Sequence, residues 1–314
     1  MVKASWQPYL MLGVGLLAVS AASILIRQSQ AEHASSFLIS AWRVGTATLV
    51  LTPAVFGMYR ADLRKLRRSD LLLVLLSGLM LTVHFASWIS SLEYTSVISS
   101  TVLVNTHPLV VALVSPFLLR ERLSRTTLIA IVIAVAGIII VSLAGDAGTA
   151  VRQNNAMLGN VLALVGAVTV AAYYVIGRRV RARVAVIPYI WLTYGTSAIL
   201  LFILTLATGQ QIVGLSANAY LWMTLTGLIP QLIGHSAYNY ALGYLSAAYV
   251  SLTILGEPVV STILAIILLG EFPKIGQLPG GVLILLALVI ASREETANTR
   301  RVVQEDEIEN AAAL

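Results

Sequence analysis

"ALGYLSAAYVSLTILGEPVVSTILAIILLGE", residues 241–271, repeats an earlier stretch of the same chain, "SLEYTSVISSTVLVNTHPLVVALVSPFLLRE", residues 91–121. The two align without gaps at an offset of 150 residues. Leu92, Tyr94, Ser96, Pro108, Val110, Leu118, Leu119 and Glu121 fall on Leu242, Tyr244, Ser246, Pro258, Val260, Leu268, Leu269 and Glu271. Any two apolar helices share leucines and valines by chance. A Tyr-x-Ser, a mid-span proline and a closing glutamate held in register are a different matter, and they mark two copies of one unit. Weaker echoes set Trp42 near Trp191 and Arg27 near Arg178.

The repeated unit is apolar, and so is the rest of the chain. Hydrophobic residues make up 58% of the 314 and charged residues 11%, with a mean hydropathy of +0.87. A soluble domain carries about 25% charged residues, so this chain has too few to cover a water-facing surface. The apolar runs last about 18 to 24 residues, the length a helix needs to cross a hydrocarbon core of about 30 Å. Barrel strands would be shorter and alternating. The fold class is therefore an all-α integral membrane protein. With no cysteine, disulfides and thiolate metal sites are excluded. The N-terminal run "MVKASWQPYLMLGVGLLAVSAASILI" reads as a first span, not a cleaved leader, because no cleavage site followed by a polar mature segment succeeds it.

Ten spans are expected, at about 8–26, 35–56, 70–91, 96–119, 126–143, 156–177, 187–207, 218–241, 246–269 and 276–291. Orientation follows from the basic residues. With the N-terminus inside, 16 of the 20 Lys and Arg fall in inside segments. Only Arg27, Arg152 and Lys274 fall outside, and Arg43 lies within a span. Both termini then face the cytoplasm. The basic pI of 9.7 is explained by topology signals and contacts with anionic lipid, without nucleic acid. The polar stretch after Arg293 has no apolar periodicity and reads as a solvated or loosely helical extension.

Five spans per copy is an odd number, so the copies must cross the membrane in opposite directions. The expected units are residues 1–145, 146–292 and a cytoplasmic polar tail at 293–314. An inverted-topology repeat is the architecture of alternating-access carriers, which bind substrate near the midplane between the halves. Ten helices in two five-helix halves, with "P…LLRE" and "P…LLGE" closing the fourth helix of each, resemble the EamA branch of the drug/metabolite transporter superfamily. The resemblance covers residues 8–291. It implies a cavity lined by helices 1, 3, 4, 6, 8 and 9. Its YddG-type members imply efflux of amino acids or small metabolites, whereas other branches carry sugar phosphates, nucleotide sugars or drugs, or work as uptake systems.

Ionisable groups inside a bilayer are costly and become functional candidates by default. Arg43, His84, His107, His235 and Glu257 are those within spans. The offset sets His107 on Glu257, each directly before a proline, Pro108 and Pro258. A proline removes one N–H and frees the carbonyl a turn earlier. The side chain before it is expected first to bind such freed groups or a neighbouring helix, with substrate contact and, for Glu257, proton coupling as alternatives. The prolines also mark where the helices bend. Arg43 either bonds backbone and locks helices together or recognises a substrate carboxylate. Phosphate-bearing substrates would call for several in-span cations, and there is no in-span lysine.

The third and eighth spans hold an aromatic and polar set. His84 and Trp88 share a helix face at i, i+4. Gln231, His235 and Asn239 follow at successive i+4 steps with Tyr238 alongside, a stripe expected to line a cavity or to glue helices together. Tyr173 and Tyr174, and Trp191 and Tyr194, are weaker candidates, since aromatics near helix ends serve as interfacial anchors. The chain has no HExxH, no GxSxG, no paired aspartates and no metal-like cluster, so an intramembrane enzyme is the distant rival. No filter-like loop suggests a channel. The expectation is an inner-membrane exporter of small amphiphilic metabolites, amino acids foremost, in a bacterium or archaeon. It would act as a monomer or homodimer with no cofactor and with lipid and a small-molecule substrate as partners. A drug or metabolite permease, or an uptake carrier of the same fold, is the alternative.

Overall fold

The structure, a computed structural model, describes residues 6–95, 100, 103–119, 121, 124–145, 155–269 and 275–312. These residues form helices and no strand. In chain order they are α1 (Gln7–Ser20), α2 (Ala22–Ala31), α3 (Ser36–Met58), α4 (Arg60–Arg64), α5 (Arg68–Tyr94), α6 (His107–Leu118), α7 (Arg125–Gly145), α8 (Ala156–Arg181), α9 (Val186–Ala207) and α10 (Ala217–Thr226). A π-helical stretch, Gly227–His235, then leads into α11 (Ser236–Ala241), α12 (Ala247–Ile254) and α13 (Glu257–Leu269). A 3-10 turn, Ile275–Gln277, precedes α14 (Leu278–Ala312).

Among the described residues, seven helical stretches are long and apolar enough to cross a bilayer, and His107–Leu118 and Arg125–Val141 are shorter apolar helices. Helices suit that setting because each satisfies its own backbone polar groups. Their ends are capped as helix ends must be. Ser35, Asn155, Ser216 and Ser246 each accept a backbone N–H three residues on, from Leu38, Leu158, Ala219 and Tyr249. The serine of the repeated Tyr-x-Ser thus starts α12. Leu49, Phe56, Leu72, Leu113, Phe117, Val132, Ile199 and Ile203 stand exposed on the outer surface. Ser20, Ser40, Arg43, Ser77, Thr193, Gln231 and Asn239 are buried. Polar inside and apolar outside is the pattern that a lipid solvent selects.

The 150-residue offset reappears in the coordinates. α3 begins at Ser36 and α9 at Val186, and α6 begins at His107 and α13 at Glu257. At the proline sites the backbone itself repeats. Thr106 N–H donates to Leu103 O (3.2 Å) and Leu109 N–H to Thr106 O (2.9 Å). One offset later, Gly256 N–H donates to Thr253 O (3.1 Å) and Val259 N–H to Gly256 O (3.1 Å). Packing partners exchange in the same way. α5 packs on α8, and the π stretch, its counterpart, packs on α1; α6 packs on α8, and α13 on α1; α5 packs on α9, and the π stretch on α3.

Two close approaches show this exchange at atomic scale. A Cβ placed on Gly78 would lie 2.6 Å from Thr196 Cβ and 2.9 Å from Thr193 O. One placed on Gly227 would lie 2.6 Å from Thr46 Cβ and 2.9 Å from Arg43 O. Thr46 and Arg43 are the offset counterparts of Thr196 and Thr193. Small residues let helix backbones meet this closely. Gly78→Ala should force α5 from α9 and cost about 1–3 kcal/mol, read as a lowered midpoint of thermal unfolding in detergent. Gly13→Ala, where nothing lies within 4 Å, should leave the midpoint in place.

Several expected spans are interrupted. The first turns at Ala21 and its helical path runs on to Ala31. The ninth is two helices parted at Leu255–Gly256. The eighth widens to a π-helix around Pro230, which cannot donate the bond that a regular turn requires. The polar tail continues α14 as helix to Ala312.

Candidate functional site

Many of the buried polar side chains of α3, α5, α6, α8, α9, the π stretch and α11 come together in one region. Arg43 of α3 is 2% exposed. Its Nε donates to Gln231 Oε1 at 2.8 Å, and its guanidinium carbon stands 4.7 Å from the centroid of the Phe85 ring. The cation is therefore held by one hydrogen bond and one aromatic face. Phe85 also meets His235 edge-on at 5.8 Å between centroids.

His84 and Trp88, on one face of α5, stack with centroids 5.8 Å apart and planes 10° apart. His84 Nδ1 lies 2.9 Å from Gly166 O. A carbonyl only accepts, so Nδ1 carries the proton and a neutral ring presents Nε2 as an acceptor. His107 follows the same logic. Its Nδ1 donates to Val104 O at 3.1 Å, and Val104 O is the carbonyl that Pro108 leaves without its helical donor. Its ring packs against Tyr174 at 6.0 Å.

Asn239 ties three elements together. Its Nδ2 donates to His235 O (2.7 Å), Tyr173 Oη (2.5 Å) and Tyr194 Oη (3.2 Å). Tyr173, Tyr174, Tyr194 and Tyr238 are all at most 2% exposed. Buried atoms around this centre without a hydrogen-bond partner include Trp88 Nε1, His235 Nδ1, Tyr238 Oη and Asn239 Oδ1. Most buried polar groups are paired, so a cluster of orphans calls for a partner such as water or ligand.

Glu257 opens α13 and is half-buried. It interacts electrostatically with Arg43, yet the two make no direct ion pair among the described residues. The two groups thus interact across the same interior without direct contact. α6 and α13 begin at His107 and Glu257, and each helix N-terminus carries a partial positive charge. The side chain of Pro258 lies outside the described residues.

The sequence-predicted set of Arg43, His84, Trp88, His107, Tyr173, Tyr174, Gln231, His235, Tyr238, Asn239 and Glu257 therefore gathers in one region. Trp191 does not join it; its Nε1 donates to Thr52 Oγ1 (3.0 Å) and fastens α9 to α3. Sequence reasoning missed Phe85, the ring beneath Arg43, and Pro230, which widens the turn that carries Gln231. It also missed Tyr189, which meets Ser77 Oγ at 2.6 Å. The proline inside an apolar span was the one signal available for any of these.

The sequence profile of the EamA-like transporter family matches the chain twice, at residues 7–143 and 157–293. An uncharacterized transporter of Clostridium kluyveri is 24% identical over 244 residues, covering 77% of this chain and 78% of its own. The uncharacterized transporter YdfC of Bacillus subtilis is 24% identical over 253 residues, covering 80% and 78%. A known crystal structure superposes with a TM-score of 0.78 at 20% identity, over 94% of this chain and 98% of that one. The polar interior wrapped in apolar helices and the twofold match lead to one conclusion: the chain belongs to the EamA-like transporter family.

Proposed function

We propose that the protein is an alternating-access exporter of small metabolites, amino acids and related zwitterions foremost, in a cell membrane. Its ten helices form two inverted five-helix halves with both termini in the cytoplasm. The observation that carries this reading is the separated pair of Arg43 and Glu257 beside the orphaned polar atoms of the same centre. A carboxylate on Arg43 and an ammonium on Glu257 would complete both charges, and the Trp88, Phe85 and tyrosine rings would cover an apolar side chain. The exchange of packing partners between the halves supports the inverted arrangement, and the basic residues support the orientation.

Counterflow in proteoliposomes across a panel of amino acids is the direct test. Saturable exchange of at least one of them is expected, and no saturable movement with an intact fold would overturn the reading. His84→Ala, Trp88→Ala and His235→Ala should each slow that exchange about fivefold or more, the loss of one polar contact. Wild-type rates in all three would remove this region from the substrate path.

A further inference from the structure

The closing glutamate of the first repeat, Glu121, lies apart from the polar centre and joins parts of both halves. Its Oε1 accepts from Arg178 Nε at 2.7 Å, and its Oε2 accepts from the backbone N–H of Ala247 at 3.3 Å. Arg178 Nη1 donates onward to Leu242 O at 3.0 Å. One carboxylate therefore ties the segment after α6 to the end of α8 and the start of α12, and Arg178 adds the end of α11. These are helices of the centre: α8 carries Tyr173 and Tyr174 one turn before Arg178, and α11 carries Asn239, whose own carbonyl takes Arg181 Nε at 3.0 Å.

A second ion pair stands at the same end. Arg183, just after α8, meets Asp70 at the start of α5 at 3.1 Å. Both ion pairs among the described residues join a residue before position 145 to one after position 155. Among the described residues, the opposite end is crossed by an exposed hydrogen bond, Ser216 Oγ–H to Glu32 Oε2 at 2.6 Å. The Glu121 and Arg178 side chains are 17% and 26% exposed, so water screens them less than a surface pair.

We infer that Glu121 and Arg178 form an ionic latch which shuts one end of the polar centre and must part before that end opens. In the orientation proposed above this is the cytoplasmic end. The latch rests on the carrier reading for what passes through it, though its opening is measurable without any substrate.

The chain has no cysteine, so a single introduced one reports access. Ser236→Cys, beside Tyr194 (Oγ to Oη 3.3 Å in the serine protein), serves as reporter in every variant, with a membrane-impermeant maleimide applied to one face of oriented vesicles at a time. The reporter with intact latch should label slowly from the latch face. Glu121→Gln should raise that rate about tenfold, the loss of one charge-assisted contact, and lower the rate from the opposite face. The swapped pair Glu121→Arg with Arg178→Glu should restore slow labelling. Unchanged rates from both faces in Glu121→Gln, checked for fold by size exclusion, would overturn the latch. Should Glu121→Gln fail to fold, Arg178→Lys decides: it keeps the charge and loses the Nη1 bond to Leu242 O, so an intermediate rate supports the latch and the intact rate overturns it. Shifted labelling without amino-acid exchange would leave the latch standing and sink the substrate assignment instead.

Discussion

Arg43→Ala is expected to abolish transport and to destabilise the fold by about 3–5 kcal/mol, the cost of removing one member of a buried charged network. The guanidinium does three jobs that alanine cannot do. Its Nε–H satisfies Gln231 Oε1 at 2.8 Å, its cationic carbon stands over the Phe85 ring, and its charge offsets that of Glu257. Without it, Gln231 keeps a buried acceptor with no donor, and Glu257 becomes an uncompensated anion in the interior. Arg43→Lys separates these effects. Lysine keeps the charge but has neither the flat face nor the forked donors, so the fold should survive while transport falls about tenfold. Thermal unfolding in detergent and counterflow read the two quantities side by side. Normal exchange by whatever Arg43→Ala protein folds would make the residue a fastener between α3 and the π stretch, and the substrate carboxylate would need another partner.

Arg43 was legible as the sole cation well inside a span, but its partners were not, and the reason is geometric. Gln231 sits on the π-helical stretch around Pro230, and a period of 3.6 read along the sequence does not anticipate a π turn. Phe85 looks like any apolar core residue until the ring beneath a cation is seen. Tyr173 and Tyr174 read from sequence as the weaker cavity candidates, because aromatics near helix ends often serve as interfacial anchors, yet both are buried at the centre, because α8 runs on to Arg181 and they lie well inside it. The repeat was the most informative signal. It located the helix breaks at His107 and Glu257, whose positions depend on local proline chemistry. It could not say which helices touch, since that is settled by packing between segments far apart in sequence, as at Gly78 and Gly227.

Glu257→Gln is expected to fold as the wild type does and to lower transport about ten- to a hundredfold, the loss of a charge-assisted hydrogen bond to a substrate ammonium. The counterpart His107 shows why a purely structural role is the weaker reading for the carboxylate. His107 donates Nδ1–H to Val104 O, the carbonyl that Pro108 frees. The equivalent carbonyl before Pro258 belongs to Ile254, and only a protonated Glu257 carboxyl could donate to it. What Glu257 does supply is negative charge at the N-terminus of α13, worth about 0.3–1 kcal/mol, so glutamine in its place should shift thermal unfolding little. Imposing a pH gradient then divides the two functional roles. If Glu257 holds a substrate ammonium, wild-type exchange should run at the same rate with and without the gradient, and the glutamine variant should be slow in both. A wild-type rate that rises with the gradient, and a Glu257→Gln rate that does not, would make this carboxylate the proton carrier. The ammonium would then have to be held by other acceptors of the region, such as His84 Nε2 and Asn239 Oδ1.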